Sequence, residues 1–469
     1  MNEEKVEFRD NLHFSIKIQS IEKYPIHWHK NITEILIPIK GCIEVFANYE
    51  QILVKEGDFW FVNNKAIHSV RASPGAIVAV FYINLDYFQK QFEHIKYMFF
   101  RSNMFAKTRK KIKSDNFEDE IRKGLKIQFR NLLVNMLNNT VNDIQLSEEF
   151  LENFESQLIC SMVYGFRWLQ FLKKNNKHMS PFQINRYYRV IKFIDENYKN
   201  KITLEDVTSR EFVTKNYFSH FWKELSCFSF QERLNYERTI RAEMLLLTTD
   251  MSISQISEEC GFSDVKYFYN CFKQWYGFTP SEYKKRCLLY EKKGVHYQNL
   301  EFSNIKETLN RYINTHLPPY SINDQDPMFS SFVKNYHKIK HLYQADKDMI
   351  SKSPRNIVID IFNRNNFCIK NGHLLFNWYI IDQLVDLTDS LPFHISIKLD
   401  HKYIEKPWFN YAIEKFLDFC IFRYGINTVK GWKFYVDYRG YKPYNVPIAL
   451  RKIIENKTAN IKTNYFFEI

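Results

Sequence analysis

Residues 187–287 carry one local pattern twice, and this repeat limits the folds open to that part of the chain. Thr203-Leu-Glu-Asp206 and Ser252-Ile-Ser-Gln255 place a hydroxyl side chain three residues before an acidic or amide side chain. Such a box predicts a helix N-terminus, because the two side chains satisfy backbone N–H groups at the helix start. Each box is followed by a short helix, a turn and an amphipathic helix. The two amphipathic helices begin near Thr214 and Asp264, 50 residues apart, so the pattern predicts a tandem pair of helix-turn-helix units.

The two amphipathic helices each have an apolar and a polar face. Spacing places Phe218 and Trp222 on the inward face of the first helix, and Phe268 and Phe272 on that of the second. The outward faces carry side chains that can touch phosphates or base edges. The candidate DNA-binding residues are Lys215, Asn216, Ser219, His220 and Lys223 on the first helix, and Val265, Lys266, Tyr267, Asn270 and Lys273 on the second.

A longer helix, predicted over about 230–247, separates the two units. At ~1.5 Å per residue it would be about 26 Å long. Successive major-groove faces of B-DNA lie ~34 Å apart, so a rigid spacer of this order would hold two reading helices near neighbouring grooves. One polypeptide would then read two successive major-groove segments without dimerising.

The segment 186–287 resembles the DNA-binding domain of the AraC/XylS family of transcription regulators. The resemblance is carried above all by Phe218-Ser-His-Phe-Trp-Lys-Glu224, Gly261-Phe-Ser-Asp264 and Tyr276-Gly-Phe-Thr-Pro280. Cys227 departs from the pattern, since the family usually has glycine there. The resemblance implies sequence-specific binding to double-stranded promoter DNA and contact with RNA polymerase. It assigns base contacts to Asn216, Ser219 and His220 in the first unit, and to Val265, Lys266, Tyr267 and Asn270 in the second.

The overall composition indicates a multidomain globular protein but says little about its partner. A chain of 469 residues is too long for one ordinary core, and 45% apolar with 25% charged residues is typical of soluble domains. The net charge of +13 fits a polyanionic partner. Between residues 186 and 286, however, 16 lysines and arginines stand against 14 aspartates and glutamates, a net charge of +2. The prediction of DNA binding therefore rests on the motifs and not on charge.

A cytoplasmic location is expected. The first ten residues are charged and lack the apolar stretch of a secretory signal. The longest apolar run, Ala76–Ile83, is far shorter than the ~20 residues that a membrane span needs, so no membrane partner is expected. The eight cysteines include no Cys-x-x-Cys pair, which is typical of reduced thiols and does not favour a structural zinc site.

Residues 1–85 are predicted to form a small β-barrel with an internal site, since short β-rich segments alternate there with turn signals. His27, His29 and Glu34, followed by His68, resemble the motif of the cupin fold, in which such residues converge inside the barrel. That resemblance implies a site suited to Fe(II), Mn(II), Ni(II) or Zn(II). A polar pocket for an unknown small-molecule effector, with no cofactor, is the favoured interpretation. The divalent metal site stays open as the alternative, and a metal-dependent cupin enzyme is the competing function.

The other segments receive coarser predictions. Residues 86–185 follow helical periods and resemble the helices through which the family forms homodimers, while residues 288–325 are predicted to be a connector. Residues 326–469 resemble part of a β-xylosidase-type glycoside hydrolase barrel, which implies a truncated α/β, TIM-barrel-like region. Arg439 stands where those enzymes carry the acid/base glutamate, and a guanidinium does not release a proton at neutral pH. No enzyme activity is therefore expected, and a carbohydrate-responsive protein with a degenerate glycosidase-like domain remains a further alternative.

Overall fold

The chain folds into a curled N-terminal sheet, a helical helix-turn-helix region and a separate C-terminal α/β unit. Among the residues described, no helix combines the length and apolar character needed to cross a bilayer. The computed structural model describes residues 2–9, 11–102, 116–171, 181–226, 228–316, 355–360, 367–370, 373–376, 381, 385, 393–404, 406–437 and 448–458.

The N-terminal sheet has nine strands and is organised around one long strand, β8. This strand pairs antiparallel with β2, β3, β4 and β5, which curls the sheet around an interior. The strands are β1 (Asn2–Glu3), β2 (Phe14–Lys23), β3 (His27–Trp28), β4 (Ile32–Lys40), β5 (Cys42–Ala47), β6 (Glu50–Lys55), β7 (Trp60–Val62), β8 (His68–Asn84) and β9 (His296–Leu300).

Strand alternation gives this sheet two different faces. On β4, Leu36 faces the interior cluster while Ile35 and Ile37 face outward. On β8, Tyr82 lies inside and Phe81 outside, because successive side chains of a strand point to opposite faces. Both faces are buried, so the sheet is covered by helices on its outer side.

The helices that cover the outer face come largely from the segment 86–185. Phe129 of one helix and Phe166, just beyond the next, pack on Phe59 and Phe61 of the sheet. The sequence boundary predicted at residue 85 therefore does not separate two cores, because one apolar cluster joins the sheet to these helices. The helices of this segment are α1 (Leu85–Phe88), α2 (Asn116–Val141) and α3 (Glu148–Ser161).

Seven helices build the region between the covering helices and β9. The helix starts predicted at Thr203 and Ser252 are confirmed, and Thr279 caps a further helix in the same way. Each of the three side chains accepts a hydrogen bond from the backbone N–H three residues later, and each belongs to a reciprocal capping box. The second amphipathic helix is capped by Asp264. The seven are α4 (Pro181–Asn197), α5 (Leu204–Arg210), α6 (Lys215–Ser226), α7 (Phe230–Thr248), α8 (Ile253–Glu259), α9 (Val265–Tyr276) and α10 (Pro280–Lys292).

The predicted connector, 288–325, needs correction. Its first part completes α10, and β9 then pairs antiparallel with β2, with Ile21 opposite Tyr297. Helix α11 (Lys306–His316) follows, and its buried Leu309 and Tyr312 belong to the apolar cluster on the outer face of the sheet. The sequence signal was missed because a five-residue edge strand carries almost no periodic pattern. Residues beyond His316, up to 354, lie outside the described part of the chain.

The C-terminal region combines helices with a parallel sheet, in agreement with the predicted α/β class. Strands β10, β13 and β14 form a parallel sheet in that order, and β11 and β12 form a separate hairpin. Its apolar core is distinct from the others and includes Trp432. Arg439 lies outside the described residues. The closed barrel that the resemblance implies is not tested by the described strands. The elements are β10 (Arg355–Asp360), β11 (Phe367–Lys370), β12 (His373–Phe376), β13 (Phe393–Asp400), α12 (His401–Ile404), α13 (Phe409–Tyr424), α14 (Ile426–Lys430), β14 (Lys433–Asp437) and α15 (Ile448–Thr458).

Candidate nucleic-acid interface and sensor cavity

The first candidate reading helix, α6, presents the polar face that its sequence predicted. Phe218 and Trp222 are buried against α4 and α7, with the Trp222 ring 5.5 Å from that of Tyr187. All five predicted contact residues are exposed: Lys215, Asn216, Ser219, His220 and Lys223. Lys215 forms an ion pair with Glu205, at 2.9 Å, on the surface of the preceding helix. An exposed pair of this kind is weak, so Lys215 keeps its capacity to bind a phosphate.

On the second candidate reading helix, α9, the predicted contact residues differ in their exposure to solvent. Lys266, Asn270 and Lys273 are exposed, whereas Val265 and Tyr267 are half-buried. The Tyr267 hydroxyl accepts a hydrogen bond from Asn235 of the spacer helix. Tyr267 is therefore held by the protein, and the freely accessible part of this face is Lys266, Asn270 and Lys273.

The spacer helix α7 is fixed by buried polar contacts. The guanidinium of Arg238 is buried and donates to the carbonyl oxygens of Tyr198 and Asn200, at 2.8 and 2.9 Å. Arg241 forms an ion pair with Asp195 of α4. With 19 residues, α7 is about 28 Å long at ~1.5 Å per residue. The two units thus share a rigid mount of the length expected from the sequence.

Two glycines in left-handed conformation shape the second unit. Gly261 lies in the turn between α8 and α9 with φ of 76°, and Gly277 ends α9 with φ of 77°. A Cβ atom at Gly261 would lie 2.4 Å from the carbonyl oxygen of Lys199, whereas one at Gly277 would meet nothing within 4 Å. Glycine is therefore required at residue 261 both by backbone conformation and by close approach to the loop that precedes α5. Cys227, the predicted departure from the family pattern, lies outside the described residues.

Inside the curled sheet, four predicted residues come together. His27, His29, Glu34 and His68 are all buried, and one nitrogen or oxygen atom from each lies within 4.8 Å of the others. The Nε2 atoms of His68 and His29 lie 2.8 and 3.5 Å from Glu34 Oε2. In the part of the chain that the structure describes, none of these four inward atoms has a hydrogen-bond partner of good geometry.

The backbone fixes the orientation of each imidazole. The Nδ1 atoms of His27, His29 and His68 lie 3.0, 2.8 and 3.0 Å from the carbonyl oxygens of Pro25, Glu4 and Ala66. A carbonyl only accepts, so each Nδ1 carries a proton and donates it. Each Nε2 is consequently the atom that faces the cavity, with its lone pair inward when the ring is neutral.

The pKa values of His27, Glu34 and His29 are shifted by burial and by the other ionisable groups of this cavity. Burial lowers the pKa of His27 well below its ordinary value, and the neighbouring His68 lowers it further. Burial opposes ionisation of Glu34, but the charge of His68 and the contact with His29 hold the pKa of this carboxyl well below its usual range. Burial also opposes protonation of His29, yet its contact with Glu34 raises the pKa of the imidazole. The cavity therefore holds an ionised Glu34 carboxylate whose partners are the imidazoles of His68 and His29.

Sequence reasoning missed two residues at these sites. Glu4 supplies the carbonyl that orients His29, and its carboxylate lies 3.5 Å from His27 Nε2. Tyr49, at the tip of the β5–β6 hairpin, packs on Trp275 of α9 and Tyr236 of α7, with ring centroids 5.1 and 5.8 Å apart. Neither residue belongs to a motif, and both contacts join segments far apart in the chain.

Two helix-turn-helix units on one spacer helix define a DNA-binding domain of the helix-turn-helix class. A family model described as a helix-turn-helix domain matches residues 207–286. The chain therefore carries an AraC-type helix-turn-helix domain, which confirms the resemblance of this segment.

The chain is also similar to curated transcription regulators. The chain is 33% identical over 94 residues to the uncharacterized HTH-type transcriptional regulator YijO of Escherichia coli K12, which covers 20% of this chain and 33% of that protein. It is 25% identical over 294 residues to the uncharacterized HTH-type transcriptional regulator YdeC of Bacillus subtilis 168, covering 57% of this chain and 88% of that one. The chain thus spans about a third of YijO's length.

A solved structure is also similar to part of the chain. The C-terminal domain of the two-component response regulator yesN from Fusobacterium nucleatum is 33% identical to the chain. It aligns with a TM-score of 0.21 and covers 21% of this chain and 98% of that domain.

Proposed function

We propose that the chain is a sequence-specific DNA-binding transcription regulator whose α6 and α9 read two successive major-groove segments of promoter DNA. The observation that carries the proposal is the pair of capped, outward-polar helices on one spacer helix of about 28 Å. Phosphate contacts from lysines would supply most of the affinity, and base-edge contacts the specificity.

The other parts of the chain receive regulatory roles in this proposal. The curled sheet is a cupin-like sensor for a small ligand, because its four buried polar residues face one cavity. Helices α2 and α3 form the contact of a homodimer, RNA polymerase is a partner at the promoter, and the protein acts in the cytoplasm. The region 326–469 is non-catalytic, on the ground that Arg439 replaces the proton-donating glutamate.

The reading face is tested with two variants of the full chain and a DNA site selected from a random pool. Asn270→Ala should weaken binding to the selected site by ~1–3 kcal/mol while leaving binding to random duplex unchanged, because a base-edge contact is lost. Lys273→Ala should weaken binding to both duplexes and reduce the salt slope by about 1, because a phosphate contact is lost. Fluorescence anisotropy across a salt series measures both effects.

The matched control is Lys90→Ala, which removes an exposed lysine far in sequence from both units. It should leave affinity and salt slope unchanged. Unaltered binding by Asn270→Ala and Lys273→Ala would remove α9 as a reading helix, and failure of the chain to prefer any selected site over random duplex would refute the proposed function.

A further inference from the structure

We propose that Phe212, in the turn between α5 and α6, is an additional specificity-determining residue that contacts the C5-methyl group of a thymine in the DNA segment read by α6. The inference rests on the proposed function, because it requires α6 to lie in a major groove. It goes further by assigning a base contact to a residue that belongs to neither reading helix and to no motif.

Two backbone hydrogen bonds close the turn after α5. The Val213 N–H donates to the carbonyl oxygen of Thr208 at 3.1 Å, and the Phe212 N–H donates to that of Ser209 at 3.4 Å. This pair of bonds is the Schellman motif of helix C-termini, in which one residue takes a left-handed conformation that favours glycine. In the first unit that residue is Phe212, with φ of 53°.

The second unit contains the same turn with a different residue in the left-handed position. After α8, the Gly261 N–H donates to the carbonyl oxygen of Glu258 at 2.9 Å. The Phe262 N–H donates to that of Ser257 at 3.0 Å. Gly261 has φ of 76°. The chain therefore carries phenylalanine in one unit at the position where the other unit carries the residue that the backbone favours.

No packing within the described part of the chain accounts for the phenylalanine. The Phe212 side chain is 94% exposed, more than any other large apolar side chain of the described residues. The next residue, Val213, packs on the apolar cluster of the protein and holds the turn in place. A bulky residue with positive φ is a backbone outlier. Such residues cluster where a protein contacts another molecule, and the exposed ring of Phe212 is available for such a contact.

The position of Phe212 favours DNA as that molecule. Three residues separate Phe212 from Lys215, the first residue of α6, and three residues span at most about 11 Å. The major groove is about 12 Å wide, and the N-terminal residues of a reading helix contact base edges. Phe212 therefore lies within one groove width of the end of α6 that approaches the bases.

The chemistry of the turn selects the contacted group. A phenyl ring forms no conventional hydrogen bond, and the apolar group that base edges present in the major groove is the thymine C5-methyl. The neighbouring carboxylate, Glu211, is paired with Arg189 at 2.6 Å and with Arg186 at 3.3 Å. Arg210, on the other side of Glu211, is exposed. The surroundings of Phe212 therefore do not repel a phosphate backbone, and the closed turn holds the ring close to α6.

The contact is tested on the full chain with the DNA site selected from a random pool. The segment read by α6 is the one whose contacts survive in Asn270→Ala. Each thymine of that segment is replaced in turn by deoxyuridine, which removes the methyl group and leaves every hydrogen-bonding atom in place. One replacement should weaken binding by the unmodified chain about 4-fold, as expected for one buried methyl group. The same replacement should change binding by Phe212→Gly less than about 1.5-fold.

Three comparisons separate a DNA contact from a structural role. Phe212→Gly installs the residue that the second unit uses, so it should unfold at no lower urea concentration than the unmodified chain while binding the selected site less tightly. Phe212→Leu keeps a large apolar side chain and should retain the preference for thymine over deoxyuridine. Ile144→Ala removes another exposed apolar side chain, outside both units, and should leave that preference unchanged.

The outcomes that contradict the contact are equally specific. Equal effects of every deoxyuridine on the unmodified chain and on Phe212→Gly would overturn it, as would a selected site without thymine in the α6 segment. Unchanged DNA affinity of Phe212→Gly, with loss of transcription from the selected site, would overturn it in favour of an apolar pocket on a partner protein. Absence of any preference over random duplex would refute the proposed function itself, whereas the other outcomes refute this inference alone.

Discussion

Replacing Gly261 by alanine should damage the second helix-turn-helix unit far more than replacing Gly277. Both glycines have φ near +77°, so alanine at either position incurs the left-handed backbone penalty of about 1–2 kcal/mol. At residue 277 no further free-energy cost is expected, because no atom lies within 4 Å of the new Cβ. At residue 261 the Cβ would lie 2.4 Å from a backbone oxygen of Lys199 and 2.8 Å from its carbonyl carbon.

The additional cost at Gly261 follows from the rigidity of what the methyl group meets. A backbone carbonyl cannot rotate away as the end of a side chain can, so the loop before α5 must move. Overpacking of this kind costs about 1–3 kcal/mol. We therefore expect Gly261→Ala to destabilise α8 and α9 by about 2–5 kcal/mol in total, and Gly277→Ala by about 1–2 kcal/mol.

Amide hydrogen exchange measured by mass spectrometry is the suitable assay, because it reports the opening free energy of α8 and α9 within the intact chain. Gly261→Ala should speed exchange in peptides from both helices and in the loop around Lys199. Gly277→Ala should affect mainly the C-terminal end of α9. Equal loss of protection in the two variants would refute the argument that the Lys199 carbonyl confines residue 261.

Three further predictions concern the same domain. Burial raises the pKa of Glu243 to about 7, above the ordinary value of 4.5. The protonated Glu243 side chain therefore stabilises the folded state fully below pH 4.5, and this stabilisation is lost as the pH rises through 7. Glu243→Gln should remove about 3 kcal/mol of pH dependence from the free energy of unfolding between about pH 5 and 8, measured by thermal or urea unfolding. Arg238→Ala leaves the carbonyls of Tyr198 and Asn200 without their buried donor and should lower the free energy of unfolding by about 2–4 kcal/mol in the same assay; a loss below 0.5 kcal/mol would show that α7 is not fixed by this contact. Phe212 is 94% exposed with φ of 53°, so Phe212→Gly should slow hydrogen exchange around α5 and α6 by a stabilisation of about 0.5–1 kcal/mol, and faster exchange would contradict it.

Features fixed by local sequence were predictable, and those fixed by distant contacts were not. The capping boxes at Thr203 and Ser252 are short-range hydrogen-bond patterns, so the sequence located the starts of α5 and α8. The inward and outward faces of α6 followed from helical period for the same reason. The packing of Tyr49 on Trp275 joins residues more than 200 positions apart, and no local pattern encodes such a contact. The hydrogen bond from Asn235 to the Tyr267 hydroxyl is likewise non-local, and the contact of Tyr267 with DNA stays a prediction.

The cavity formed by His27, His29, Glu34 and His68 shows the same division. Histidine and glutamate spacing, through resemblance, identified the four residues that converge. Strand alternation explains why His27 and His29 share a face. The backbone carbonyls that orient the rings, including that of Glu4, depend on how the first strand crosses the sheet. The return of β9 to β2 after the DNA-binding units depends on the assembled sheet edge and had no signal in its five residues.

The central claim is that α6 and α9 lie in neighbouring major grooves of one duplex. Methylation interference on the selected site, with the full chain, tests it most directly, because modification of guanine N7 blocks contacts in the major groove. The account predicts two blocks of interference on one face of the duplex, centred about 10 base pairs apart, with the block assigned to α9 lost in Asn270→Ala. A single block, or interference confined to the minor groove, would contradict it.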